Sequence, residues 1–137
     1  MIRPILLDTC ALIWFLNKEA FGADADKSLR DMEEVPDGVA VSPISAWEIG
    51  QLVAKGRLRL ATDPLSWFER PLQRGMSLAP MPPGVLVAAS FLPGRALRDP
   101  ADRIIAATAR AYGYRLMTRD RPLLDFAAEG HVQAIAC

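Results

Sequence analysis

Short apolar runs keep returning along this chain, each followed by a turn signal and a segment with helical spacing. "PILLD" at residues 4–8 leads into "TCALIWFLNK", "GVAVS" at 38–42 into "PISAWEIGQLVAKG", and "YRLMT" at 114–118 into "RDRPLLDFAAEG". Apolar runs of four or five residues that alternate with helices read as buried strands joined by crossovers. "MSLAPM" at 76–81 and "VQAIA" at 132–136 supply two more. The expectation is an α/β fold with a five-stranded parallel sheet flanked by helices, because strands buried on both faces need helices on both sides.

The helices carry their own boundary signals. Thr9 is expected to start the first, and "DADKSLRDMEE" forms a polar second one. Pro43 opens "PISAWEIGQLVAKG" and Gly56 stops it, as Pro at a first turn and Gly past a last one do. "PLSWFERPLQRG" is expected to be bent or divided at Pro71, which has no N–H for the helix ladder. "PPGVLVAASFLPG" reads as a small-residue helix between breakers, and "DPADRIIAATARAYG" runs from Asp99-Pro100 to Gly113. The alternation continues through the Pro-rich "APMPPG", so residues 1–137 are expected to form one domain.

Composition excludes several classes. Half of the residues are hydrophobic, enough for a core and too many for a disordered chain. Sixteen basic and sixteen acidic side chains cancel, so a nucleic-acid surface, if present, is local. Thirteen of the basic residues are Arg, and seven of these fall between Arg95 and Arg121 with only three Asp. Arg forks suit phosphate. Two cysteines, Cys10 and Cys137, make no disulfide framework, which fits a reduced, cytoplasmic chain. Asp8 interrupts the apolar N-terminal stretch, which is therefore read as strand and helix rather than a signal peptide. No apolar run reaches the roughly 18 residues of a membrane span.

The acids are placed unusually. In an open parallel sheet, ligands bind beyond the C-terminal strand ends. Asp8 ends the first strand, Glu48 sits in the helix after the second, and Asp120 follows the fourth. Asp102 lies in the first turn of a helix whose other end feeds that fourth strand, so it too is expected at this edge. Each acid has an ordinary explanation as a cap or first-turn residue; for Asp99, before Pro100, capping is the expected role, with Asp102 completing something like a capping box. Glu48 resists it, flanked by Ile44, Trp47, Ile49 and Leu52, where a charge is costly without a partner. Two carboxylates 4 Å apart repel by roughly 4 kcal/mol at an effective dielectric near 20. A group of four calls for protons, arginines or a hard cation, and all-oxygen donors select Mg²⁺ or Mn²⁺.

Absences narrow the chemistry. One histidine, His131, rules out a two-histidine ribonuclease mechanism. No Cys/His set suits zinc, and neither a P-loop nor a dinucleotide fingerprint is present. A phospho-acceptor domain would want a second acid beside Asp8 and a lysine after the last strand, yet no Lys follows Lys55.

With these positions found, the chain resembles PIN-domain proteins, in particular VapC-type toxins of bacterial toxin–antitoxin pairs. The likeness rests on "LLDTCALIWFL", "VSPISAWEIGQLVAKGRL", "RDPADRIIAATARAYGYRLMTRD" and the last short strand, and runs essentially end to end. It implies a PIN-like fold and an Mg²⁺- or Mn²⁺-dependent endoribonuclease. The family's acidic quartet matches Asp8, Glu48, Asp102 and Asp120, with Asp8, Asp102 and Asp120 as metal ligands. It further implies a cognate antitoxin that covers the site, and a homodimer or toxin–antitoxin hetero-oligomer with no membrane contact. Thr118 and Ser45 are expected to support the acids. Arg98, Arg103, Arg119 and Arg121 are candidate contacts to the RNA backbone. The competing readings are a non-catalytic module whose acids capture a basic partner, and a nuclease acting on another nucleic acid.

Overall fold

Short strands that are apolar on both faces set the architecture. In the computed structural model, which describes residues 2–95 and 97–137, the central strand β1 is Ile5–Leu7. Ile5 and Leu7 point to one face and Leu6 to the other, and all three are fully buried. Successive side chains of a strand face opposite ways, so both faces of β1 must be covered. On the Ile5 and Leu7 side lie α1 (Thr9–Leu16), α2 (Ala23–Met32), α3 (Pro43–Ala54) and α4 (Pro64–Gln73), which contribute Leu12, Met32, Ile49, Trp67 and Phe68 to one core. On the Leu6 side, α6 (Pro100–Tyr112) and α7 (Arg121–Ala128) contribute Ile105, Ala106, Ala109, Leu123 and Phe126 to a second. A short α5 (Pro83–Ala88) packs on α6 through Val85 and Ala107.

The five strands are parallel, in the order β3-β2-β1-β4-β5. The others are β2 (Val39–Val41), β3 (Ser77–Leu78), β4 (Arg115–Thr118) and β5 (Gln133–Ala136). Leu6 stands level with Ala40 on one side and Leu116 on the other. The chain builds outward from β1 through β2 to β3, then returns to the opposite side for β4 and β5. The order therefore reverses at β1 and β4, and crevices of open α/β sheets form at such switch points, outside the carboxyl ends of the strands. Asp8 and Asp120 follow those two strands.

Helix α1 starts at Thr9 as expected, with Asp8 as its cap, whose carboxylate accepts from the Ala11 N–H at 2.7 Å. Two expectations are revised. Helix α4 is not divided at Pro71 but runs on through it to Gln73. Only the Trp67 carbonyl loses its partner there, one turn from the helix end, and the Pro71 ring is buried. The "PPGVLVAASFLPG" segment gives six α-helical residues and then a tighter turn over Ala89–Phe91. At the other end of α6, Gly113 closes the helix at φ +72°, a conformation that costs other residues about 1 kcal/mol.

Candidate active site

Helix starts gather at the C-terminal edge of the sheet. Asp8 caps α1, Ser42 caps α3, Asp99 caps α6 and Asp120 caps α7. Each helix N-terminus carries partial positive charge, which makes carboxylates there easier to hold. Capping and site membership are thus not alternatives for Asp8 and Asp120. The Asp120 carboxylate accepts from the Leu123 N–H at 3.2 Å, and its second oxygen remains for other work.

Asp8 is buried, 2 % exposed, and is fixed from two directions. One oxygen takes the Ala11 N–H and the other takes the Thr118 hydroxyl. Thr118 spends its only proton on Asp8, and its oxygen accepts the Asp120 N–H at 2.9 Å. A single threonine on β4 therefore ties two of the acids together. Glu48 is held in the same manner. The Thr9 hydroxyl donates to Glu48, which leaves the Ser45 hydroxyl to donate to Thr9 at 2.8 Å. The expected supporting roles of Thr118 and Ser45 have this geometric basis. The sequence does not point to Thr9 in such a role; its contact with Glu48 spans 39 positions.

Asp102 behaves differently. Asp99 accepts the Asp102 N–H at 3.0 Å, which is one half of a capping box. The reciprocal half does not form among the described residues: the Asp102 carboxylate has neither a hydrogen bond nor an ion pair. The two ion pairs there, Lys27–Asp31 and His131–Glu129, involve none of the four acids. An uncompensated carboxylate beside other carboxylates prefers to be neutral. Burial, then the charges of Asp120, Asp99, Glu48 and Asp8, push Asp102 from 3.8 to about 8. Burial raises Asp8 to about 6 against the pull of its hydrogen bonds to Thr118 and Ala11, with Asp120 adding to the rise. Glu48 is raised by burial, opposed by the Thr9 hydrogen bond, and raised further by Asp99, Asp8 and Asp120. The thiol of Cys10, partly open to solvent, is pushed up to about 12 by desolvation and then by Asp8, Asp102, Glu48 and Asp120 together. One sulfur atom thus senses all four carboxylates.

The donor set is oxygen only, carries excess negative charge and has no basic side chain paired to it among the described residues, which fits a hard divalent cation. Among the described residues no three of the acids already sit within one coordination sphere. An ion here would draw the side chains in or reach some of them through water. Two surface cavities lie elsewhere: one of about 850 Å³ at the opposite end of the sheet, and one of about 450 Å³ between α1, α2 and α4.

The arginines divide. Arg103 donates through Nε to the Ala89 carbonyl at 2.8 Å and through Nη1 to the Leu97 carbonyl at 2.6 Å. Arg119 donates to the Cys137 and Ala20 carbonyls at 2.7 and 2.9 Å, with its guanidinium 3.7 Å from the centre of the Trp14 ring. Both spend donors on pinning the loops around the edge. Arg98 and Arg121 are exposed beside Asp99 and Asp120.

Comparison with known proteins agrees with this fold. The profile of the PIN domain matches residues 5–129. Ribonuclease VapC22 of Mycobacterium tuberculosis is 34 % identical over 123 residues, covering 89 % of this chain and 91 % of that protein. The fold superposes on VapBC2 from Rickettsia felis, solved with a DNA fragment from its promoter, with a TM-score of 0.67 and 17 % identity over 96 % of this chain and 98 % of that one. It also superposes on a toxin–antitoxin complex from Klebsiella pneumoniae, with a TM-score of 0.59 and 20 % identity over 96 and 95 % of the two chains.

Proposed function

We propose, from the premise that this chain belongs to the PIN-domain family, that it is a VapC-type toxin that hydrolyses phosphodiester bonds in RNA with the help of a divalent cation. The observation that carries the reading is the set of four carboxylates without ion-pair partners at the switch point, where Asp102 is pushed to about 8. An arrangement kept only for folding would gain from neutralising that charge.

In this reading Asp8, Asp102 and Asp120 would hold Mg²⁺ or Mn²⁺, directly or through water. When bound, the ion would supply positive charge that favours loss of a proton from water and offsets the negative charge building on the phosphoryl oxygens. Glu48 accepts a proton from the attacking water, and the Thr9 and Ser45 hydroxyls fix the direction in which its carboxylate faces. Thr118 keeps Asp8 and Asp120 in register. Arg98 and Arg121 contact the phosphates flanking the cleaved bond, while Arg103 and Arg119 hold the loops that carry the acids. In-line attack breaks the P–O3′ bond, and the leaving 3′ oxygen takes a proton from solvent, which leaves a 5′ phosphate and a 3′ hydroxyl. A flexible single strand meets the recessed acids more easily than a stiff duplex.

A cognate antitoxin is the proposed partner in a hetero-oligomer, as the toxin–antitoxin assemblies of similar fold suggest, and the family resemblance implies that it covers the acid edge. No helix among the described residues is long and apolar enough to cross a membrane, and action on RNA in the cytoplasm is the proposed setting. Incubating the purified chain with single-stranded RNA and Mg²⁺ tests the reading. Cleavage that Asp102→Asn abolishes supports it, and an Asp102→Asn variant of full activity removes it.

A further inference from the structure

The end of the sheet away from the acids has chemistry of its own. There the chain preceding β1, the starts of β4 and β5, and the end of α6 surround the cavity of about 850 Å³. Arg3, Arg110 and Arg115 line it together with Tyr114 and His131, and among the described residues no carboxylate does. In a chain whose charges cancel, this is a concave concentration of positive charge. Two of the forks are anchored. Arg115 donates through Nε to the Arg3 carbonyl at 3.0 Å, and Arg110 through Nη1 to the His131 carbonyl at 2.6 Å. The Nη2 of Arg115 is buried and finds no acceptor among the described residues, whereas buried polar groups are nearly always partnered. The Glu129 carboxylate, 3.6 Å from His131 Nε2, lies outside the lining.

We propose that this cavity is a binding site for the phosphate group of a phosphate ester. Planar guanidinium forks match phosphate oxygens in pairs, and three of them line this one cavity. Tyr114 lies in the same wall. The phosphate has two sources, the backbone of an RNA strand or a free nucleotide. The first rests on the ribonuclease reading and makes the cavity an exosite at the far pole from the acids. The second is independent of that reading.

Binding is measured on the full chain in EDTA, so that it stands or falls apart from cleavage. The probes are a labelled single-stranded oligoribonucleotide, read by fluorescence anisotropy, and adenosine monophosphate, read by calorimetry. The double variant Arg3→Gln/Arg115→Gln is expected to lose tenfold or more in affinity. For RNA, the slope of log affinity against log salt becomes shallower by about 1.4, since each phosphate neutralised on a single strand adds roughly 0.7 to it. If the double variant does not fold, as its melting temperature would show, Arg3→Gln alone decides, because that side chain is exposed; a threefold loss is expected from it. Lost RNA affinity, with no binding or competition by the mononucleotide, assigns the site to the RNA backbone. Mononucleotide binding that disappears in the variants assigns it to a free nucleotide. A control pair, Arg57→Gln/Arg59→Gln, removes the same charge from exposed positions after α3 and is expected to leave binding unchanged. The proposal is overturned if Arg3→Gln and the double variant bind both probes as the wild type does, or if the control pair loses as much.

Discussion

Replacing Asp102 with Asn separates a functional carboxylate from a structural one, because the two roles give stability changes of opposite sign. A shift from 3.8 to about 8 means that the folded chain holds the Asp102 proton more tightly than the unfolded one. Stability is therefore greatest when both states are protonated, and it falls as pH rises from about 3.8 to about 8. At 1.36 kcal/mol per unit, the full shift corresponds to about 5–6 kcal/mol. Water at the open edge screens about half of this. Asn also gives up a helix-dipole interaction of about 0.3–1 kcal/mol. The expected net gain for Asp102→Asn without metal at pH 8 is thus about 2 kcal/mol, or roughly 6–10 °C in melting temperature for a chain of this size. The gap narrows as pH falls and closes near the ordinary carboxylate value. Adding Mg²⁺ stabilises the wild type by mass action and has much less effect on the variant. Calorimetric melting at pH 4, 6 and 8, in EDTA and in Mg²⁺, reads all of this. A variant less stable than wild type by about 0.5–2 kcal/mol at every pH, the signature of a lost cap, would refute the reasoning.

Asp8→Ala is expected to move stability the other way, by a net loss of about 1 kcal/mol, because it removes the α1 cap and the acceptor of the Thr118 hydroxyl; urea melting checks the sign. Protons compete with metal at Asp8, near 6, and Asp102, near 8, so the apparent Mg²⁺ affinity is expected to rise about tenfold per pH unit between 6 and 8, by titration calorimetry. The thiol of Cys10 lies in the field of all four acids, so in a Cys137→Ser background iodoacetamide is expected to alkylate it faster in Mg²⁺ than in EDTA. An equal rate would place the ion elsewhere.

Much of the fold is legible in the sequence because both faces of the strands are buried. "ILL" and "VAV" are apolar throughout and bounded by turn signals, and the polar residue that breaks each pattern, Asp8 or Ser42, marks the strand end. β3 is shorter than its apolar run suggests because Pro80, with no N–H, stops the ladder after the Ala79 N–H reaches the Val41 carbonyl at 2.8 Å. The cap of α1 is ambiguous in sequence because Asp and Thr side by side are both good caps. Only the strand geometry decides that Asp8 is the residue in extended conformation. Local sequence also could not show that Thr9 serves Glu48, since that contact exists only after α1 and α3 pack together. The arginines expose a similar limit. Seven in one stretch suggest phosphate contacts, yet whether a fork is free depends on the carbonyls folded around it, and those of Arg103 and Arg119 are engaged.

The central claim is that these carboxylates support hydrolysis of RNA by water through a bound divalent ion, and the chemistry of the cut ends tests it most directly. Purified chain is incubated with single-stranded RNA in Mg²⁺ and in EDTA, and both new termini are identified by mass spectrometry. The account predicts 5′ phosphates and 3′ hydroxyls in Mg²⁺, and intact RNA in EDTA. Cyclic 2′,3′ phosphates, or cutting that persists in EDTA, would contradict it.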